Sequence, residues 1–352
     1  MMMESLLREW DGETVIIHHD KPTDAWIFIA IHSSILGPAS GGTRMKSYEN
    51  QEAALADALR LASGMTYKFA VPGMARGGGK AVISIPDDLK ADSRPDLLRR
   101  HGKLIHQLGG IFYTGPDVGT SSADMDIIAE TGDPYVFSRT PEAGGSGSPA
   151  PYTALGVFTG IQAACANVYG EISLEDRKVL IQGAGSVGGI LIKRLQDAGA
   201  EVMFSDVDEQ VIHRFRDELG VQFIPGEEVY ATECDIFSPC ALGGVINENT
   251  IHQLKCRIIA GAANNQLSQP EDAERLRARS ILYAPDYVIN VGGAMAIIGI
   301  ELQGWSKAKA EEKVTGAVRQ TLQRIIKMVE MKNITTAEAA RRIGEKHLLN
   351  RS

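Results

Sequence analysis

Lys68 and Lys80 stand a dozen positions apart in the run GMTYKFAVPGMARGGGKAVI, and two ammonium groups so spaced suit a small anionic substrate. One lysine can hold a carboxylate as a fixed cation. The other, crowded by that charge and partly desolvated, has its pKa driven toward neutrality and can exchange protons. The glycine triplet 77–79 lacks Cβ atoms, which predicts that backbone and ammonium approach a ligand closely there. The alternative is two solvated surface lysines beside a flexible loop, since most lysines are exposed. Asp117, in FYTGPDVGTSSADMD, follows the strand-like run 111–114, so its carboxylate would emerge at a strand's C-terminal end. There it acts as a general base or holds Lys80 in position, or it is an ordinary turn residue. Asn264 in AGAANNQL and Asn290 in APDYVINVGG also follow apolar runs. Their amides suit a nicotinamide carboxamide or a substrate carboxylate, with loop capping as the alternative.

The elements that must position these groups read as an α/β chain of two domains. A length of 352 residues exceeds one ordinary core, and 44% hydrophobic with 23% charged residues is a globular composition. Isoleucine- and valine-rich runs at 15–18 and 25–32 predict adjacent strands. After GPASGGTRM, residues 51–67 carry Leu55, Ala58, Leu59 and Ala62 at helical spacing, with Asn50 as N-cap and Lys68 at the helix end. A strand at 81–85, a helix through Leu108 and the strand-like 111–114 complete the alternation. The segment AGGSGSPAP, 143–151, is the strongest shift in composition and is expected to be the interdomain hinge. A helix beginning near Thr153, the strand 178–182 and a second strand at 201–206 then read as a parallel βαβ unit. Thr335 with Glu338 predicts a capping box for a last helix. The expected domains are 1–148 together with a C-terminal helix at about 333–352, and 149–332.

The strand 178–182 runs into Gly183, Gly185 and Gly188, spaced GxGxxG ahead of a helical stretch. In that context the first glycine makes the tight turn, the second admits a pyrophosphate, and the third lets helix pack on strand. Asp206 lies about 20 residues on, where a carboxylate accepts from an adenosine ribose and repels a 2′-phosphate. NAD is therefore expected as cofactor in preference to NADP. The two lysines would face it across a cleft between the domains, an arrangement suited to hydride transfer.

Other classes are disfavoured. A net charge of −8 argues against nucleic acid or an anionic membrane as partner. Four cysteines, Cys165, Cys234, Cys240 and Cys256, lack CxxC spacing and read as reduced thiols, consistent with a cytoplasmic location. Eight dispersed histidines form no zinc motif, and no stretch reads as a signal peptide or membrane anchor.

GGTRM at 41–45, GMTYK, GGGKAVI, TGPDV, GAGSVG, SPCALGG at 238–244, AGAANNQL and YAPDYVINVGG resemble, in the same order, the leucine, valine and phenylalanine dehydrogenases of the glutamate dehydrogenase superfamily. The resemblance covers almost the whole chain. It implies reversible oxidative deamination of an L-amino acid to its 2-oxo acid and ammonium, with reduction of NAD. It assigns Lys68 to the substrate carboxylate, aided by Asn264 and the backbone near Gly42. Lys80 contacts the amino or carbonyl group and activates water, and Asp117 handles protons beside it. Arg44, Thr153, Cys240, Ala241 and Asn290 match family positions near the cofactor, with Ala184, Ser186, Val187 and Val207 alongside the fingerprint residues. Where some phenylalanine-type members carry a serine this chain has Pro149, so that contact does not transfer. Relatives assemble into homo-oligomers.

Within the family, Gly115 before the acidic motif and the small Ala294 resemble aromatic-specific members, small residues implying a large pocket, and Ser40 would admit a larger or more polar ring as in tryptophan dehydrogenases. Phenylalanine is the expected substrate, with tryptophan or leucine and valine as alternatives. The margin is modest, because a methyl group in an apolar pocket is worth ~1–3 kcal/mol. A catalytically silent NAD-binding sensor is the alternative from another class; intact Lys68, Lys80 and Asp117 argue against it.

Overall fold

The computed structural model describes residues 2–350, so the outermost residues of the expected domains, 1, 351 and 352, lie outside the described residues. The chain forms two compact units. The first comprises residues up to Ser148, Ile297–Trp305 and the chain from Gly344 on; the second comprises Pro149–Ala296 and Ser306–Ile343. At its C-terminal end this differs from the expected 333–352 return. The last helix, Thr336–Leu349, is divided at Gly344, and the segment Ile297–Trp305 also joins the first unit. Gly344 packs on Tyr67 and Val71, and His347 Nδ1 bonds the Ala70 carbonyl at 2.6 Å. Those contacts tie the last turns to the helix end that carries Lys68.

The first unit is built on five strands, β1 (Thr14–Asp20), β2 (Ala25–Ser33), β3 (Ala39–Lys46), β4 (Gly77–Ser84) and β5 (Phe112–Pro116), in the order β1-β2-β4-β3-β5. β1, β2 and β4 pair antiparallel, while β3 runs parallel to both β4 and β5. Side chains alternate across a pleated sheet, which divides this one into two faces. Ala39, Met45, Ala81, Ile83 and Phe112 join the core formed with helices Arg94–Gln107 and Ser122–Gly132. Phe28, Ala30 and Val82 point the other way and pack on Ala54, Leu55, Ala58, Leu59 and Ala62 of helix Gln51–Ala70. That helix starts as expected, with the Asn50 side chain accepting from Ala53 N at 2.8 Å. It continues three residues beyond the expected end, so Lys68 lies within its last turn.

Two features of this sheet differ from the sequence expectation. GPASGGTRM contributes the interior strand β3, although glycine weakens strands. The reason is close approach: a Cβ on Gly41 would overlap the Gly79 carbonyl oxygen. The triplet 77–79 is likewise strand rather than ligand loop, and β4 starts at Gly77 instead of residue 81. A Cβ on Gly77 would overlap the Ser33 carbonyl, one on Gly78 would overlap Thr66, and one on Gly79 would press on the Phe112 ring at 2.9 Å. These glycines let helix and strands close upon one another.

The second unit carries six parallel strands, β6 (Lys178–Gln182), β7 (Glu201–Ser205), β8 (Gln222–Phe223), β9 (Ile236–Pro239), β10 (Ile258–Ile259) and β11 (Leu282–Tyr283), in the order β11-β10-β9-β6-β7-β8. The order reverses between β6 and β9, which is the switch point of a doubly wound dinucleotide-binding sheet. Helix Ala150–Val168 opens this unit at Ala150, just after Pro149, which falls inside the expected hinge. Among the described residues no helix is long and apolar enough to cross a membrane.

Candidate active site

The pleat of the first sheet gathers the candidate residues on one face. Gly42 is flanked in register by Lys80 and Gly115, and Ser40 and Arg44 lie two residues to either side of it along β3. Asp117 follows the end of β5. Lys68 is half-buried in the helix that covers this face. Ser40 is fully buried. A Cβ on Gly42 would stand 3.3 Å from Lys80 Nζ and 2.9 Å from the Asp117 side chain, so the glycine leaves the ammonium uncovered at that point.

Lys80 Nζ forms an ion pair with Asp117 Oδ2, their side chains 7% and 16% exposed. Burial, reinforced by the cations Arg44 and Lys68, pushes the Lys80 ammonium down to about 7 from its ordinary value of 10.5. Asp117 is held by its own loop: its backbone N donates to Thr120 Oγ1 at 2.9 Å, and its Oδ1 accepts from Val118 N at 2.6 Å. Thr120 in turn donates to the Thr43 carbonyl at 2.7 Å, fixing the loop on β3. The result is a fixed carboxylate and an amine poised between its two protonation states near neutral pH.

Arg44 has partners inside the first unit: Nη1 bonds Asp57 Oδ2 at 2.9 Å and Nη2 reaches Asp117 Oδ1 at 3.4 Å. Sequence reasoning missed Asp57 and Tyr48. The available signal was a carboxylate set among the buried Ala54, Leu55, Ala58 and Leu59 of an otherwise apolar helix face. Gly115 lies against Phe137. A Cβ there would overlap the ring of Phe137, so the missing methyl accommodates a protein side chain and does not itself enlarge a pocket.

In the second unit each fingerprint glycine has its own steric reason. Gly183 adopts φ +99 and a Cβ there would stand 2.6 Å from Ala241 Cβ across the switch point. A Cβ on Gly188 would overlap the Gly183 carbonyl, where helix Gly188–Asp197 meets the loop. A Cβ on Gly185 would meet no heavy atom within 4 Å among the described residues, so that position opens onto free space. Turn, packing and open approach match what a pyrophosphate on a helix N-terminus requires. Ala184, Ser186 and Val187 form the rest of the loop. Asp206 closes it: Oδ2 accepts from Ala184 N and Oδ1 from Val207 N, both at 2.7 Å. Oδ1 also accepts from Asp208 N at 3.0 Å, so Oδ2 is the oxygen that keeps acceptor capacity for a ribose hydroxyl. The Val207 residue is 97% exposed beside it.

The remaining candidates of this unit cluster at the ends of β9 and β10 and beyond. Cys240 and Ala241 follow β9, with Cys240 Cβ 3.4 Å from the Gly188 Cβ position. Asn290 Nδ2 donates to Asn264 Oδ1 at 2.8 Å and to the Ala262 carbonyl at 3.1 Å, bringing the two amides together. Thr153 Oγ1 donates to the Pro149 carbonyl at 3.1 Å. Ala294, half-buried, follows Gly293, whose Cα packs closely on Thr153 and Pro149.

These features define a two-unit α/β protein with a dinucleotide cradle on one sheet and a buried lysine–aspartate pair on the other. Residues 19–133 match the Glu/Leu/Phe/Val dehydrogenase dimerisation domain, and residues 144–214 and 204–351 match the Glutamate/Leucine/Phenylalanine/Valine dehydrogenase model. The chain belongs to this family of amino-acid dehydrogenases, as its motifs led one to expect. It is 42% identical to a leucine dehydrogenase of Geobacillus stearothermophilus over 99% of this chain and 94% of that one. It is 39% identical to a phenylalanine dehydrogenase of Caldalkalibacillus thermarum over 97% and 92%. The crystal structure of L-tryptophan dehydrogenase from Nostoc punctiforme superposes with a TM-score of 0.84 at 39% identity, covering 99% of both chains.

Proposed function

We propose that the protein catalyses the reversible oxidative deamination of an L-amino acid with a bulky apolar side chain, L-phenylalanine first among them, to the 2-oxo acid and ammonium. The cofactor is NAD, which accepts the hydride from the α-carbon when bound. The observation that carries the reading is the buried Lys80–Asp117 pair beside the bare backbone of Gly42, with Lys68 on the helix over the same face. Lys68 holds the substrate carboxylate, with the Gly42 backbone as a further donor. Lys80 in its neutral form takes a proton from the attacking water, and Asp117 receives and returns protons through the ion pair it shares with Lys80. Asp206 accepts from the adenosine ribose, and the helix Gly188–Asp197 turns its N-terminus to the pyrophosphate. Thr153, Cys240, Ala241 and Asn290 belong to the cofactor-contacting set.

The small side chain of Ala294 is the residue-level support for an aromatic substrate. The leucine reading draws support from Phe137, whose ring occupies the space beside Gly115, and from the leucine dehydrogenase likeness. The test is kcat/KM in reductive amination with phenylpyruvate, indolepyruvate and 4-methyl-2-oxopentanoate, each with ammonium and NADH. We expect phenylpyruvate to be highest; a larger value for 4-methyl-2-oxopentanoate reassigns the substrate to the branched aliphatic class. The protein acts as a homo-oligomer in the cytoplasm.

A further inference from the structure

Asp57 lies at the centre of the charges of the first unit. Its Oδ2 accepts from Arg44 Nη1 at 2.9 Å and from the Tyr48 hydroxyl at 2.7 Å, and its Oδ1 accepts from Arg60 Nη2 at 2.7 Å. Arg44 then reaches Asp117 Oδ1 with its other terminal nitrogen at 3.4 Å, while Asp117 Oδ2 takes Lys80. Charges therefore alternate along Asp57, Arg44, Asp117 and Lys80, with Asp57 and Arg44 side chains only 14% and 18% exposed. Covering an arginine that far is expensive, and its Nε has no hydrogen-bond partner among the described residues. Stability alone is a poor reason to retain such a buried pair.

We propose that Asp57 and Arg44 are positioning residues for the Lys80–Asp117 pair: Asp57 aims the Arg44 guanidinium at Asp117, which divides its charge between two cations and leaves Lys80 able to release its proton. The assignment rests on reading Lys80 as the proton-exchanging group of the proposed reaction. Asp57 has the charge this requires: burial raises its carboxyl, but hydrogen bonds from Tyr48 and Arg60 and the charge of Arg44 hold it below the ordinary carboxylate value. The groups facing Lys80 are Arg44 from β3, Lys68, Asp57 and Arg60 from the helix Gln51–Ala70, and Asp117 from the loop after β5. Burial, Arg44, Lys68 and Arg60 favour its neutral form, whereas Asp57 and the carboxylate of Asp117 paired with it favour the ammonium.

The signs make the test sharp. Arg44→Met removes a repelling cation and returns the whole Asp117 carboxylate to Lys80, so Lys80 should titrate higher. Asp57→Asn removes an attracting anion and frees Arg44 toward Asp117, so Lys80 should titrate lower. Each shift is expected to be about one pH unit, the order produced by a charge a few ångströms away. Arg44→Lys keeps the charge and should titrate close to the parent enzyme.

Two readouts apply to the full chain, each variant checked for parental circular dichroism. One is the titration of Lys80 Nζ by NMR of 15N-lysine-labelled protein, assigned with Lys80→Arg. The other is the acidic limb of kcat/KM for deamination. Opposite shifts for Arg44→Met and Asp57→Asn support the proposal; shifts of the same sign, or none, overturn it, because a merely structural role has no reason to separate the two. If Asp57→Asn does not fold, Arg44→Met against Arg44→Lys decides, and equal titration in those two overturns it. Should the Lys80 titration move as expected while no protein, the parent included, turns over an amino acid, the positioning stands and the proposed reaction falls.

Discussion

The pH dependence of deamination follows from one buried amine. Lys80 is pushed down to about 7 from 10.5, mainly by burial and then by Arg44 and Lys68. At pH 7 roughly half of such a group is neutral, against about 1 in 3,000 for an ordinary lysine, a difference worth about 5 kcal/mol at 1.36 kcal/mol per unit. In the proposed reaction deamination uses the neutral amine, so kcat/KM should rise as pH increases through about 7 and then level, while the reductive direction, which would use the ammonium, should weaken over the same interval. The limb belongs to the Lys80–Asp117 pair as a coupled unit. Stability carries the same sign: between about 7 and 10.5 the unfolded chain holds a proton that the folded protein has released, so the Lys80 contribution to stability grows as pH rises across that window. The assay is initial NADH formation from pH 5.5 to 10 at fixed ionic strength. A limb displaced to the ordinary lysine range, with no ionisation between about 6 and 8.5, would refute the reasoning.

Other expectations follow from the same geometry. Lys80→Ala should lower kcat at least ~10³-fold while leaving the NADH Kd nearly unchanged, measured by nucleotide fluorescence; parental kcat removes Lys80 from the mechanism. Asp206→Ala should weaken NADH binding ~10–100-fold, the loss of ~1–3 kcal/mol of hydrogen bonding, and narrow the preference over NADPH; an unchanged NADH/NADPH ratio contradicts the ribose role. Gly185→Ala should fold normally, since its Cβ would meet nothing within 4 Å among the described residues, yet impair NADH binding. Gly188→Ala should unfold at a distinctly lower temperature, because its Cβ would overlap the Gly183 carbonyl. Equal melting temperatures for these two variants would show that the steric distinction between them is wrong.

What the sequence made legible were residues whose job is local. The fingerprint glycines and Asp206 can be placed in a row because turn, packing and the carboxylate that closes the loop all lie within one βαβ unit. Lys80 and Asp117 were legible for a related reason, as each lies on or just after its own strand. Positions defined by a distant neighbour were not. No element was assigned to the β3 segment, where Gly41 and Gly42 depress strand propensity and nothing local announces that Gly41 must pass close to the Gly79 carbonyl. Gly115 suggested an open pocket, but smallness alone does not say that Phe137, more than 20 residues later, fills the vacated space. The Arg44–Asp57 pair joins a strand to a helix, where no periodicity links the two positions. The C-terminal boundary between the units falls at Gly344 within the last helix, where no shift in composition marks it.

The central claim is that bound nucleotide and lysine pair together carry out a net reaction on an amino acid. Its direct measurement is product stoichiometry with purified protein at alkaline pH, supplying NAD and, in turn, L-phenylalanine, L-leucine and L-tryptophan, with Lys80→Ala as control. The account predicts NADH, ammonium and 2-oxo acid in equal amounts from at least one of them, and none from the control. Tight NADH binding without ammonium release from any of the three would contradict it and identify a silent nucleotide sensor instead.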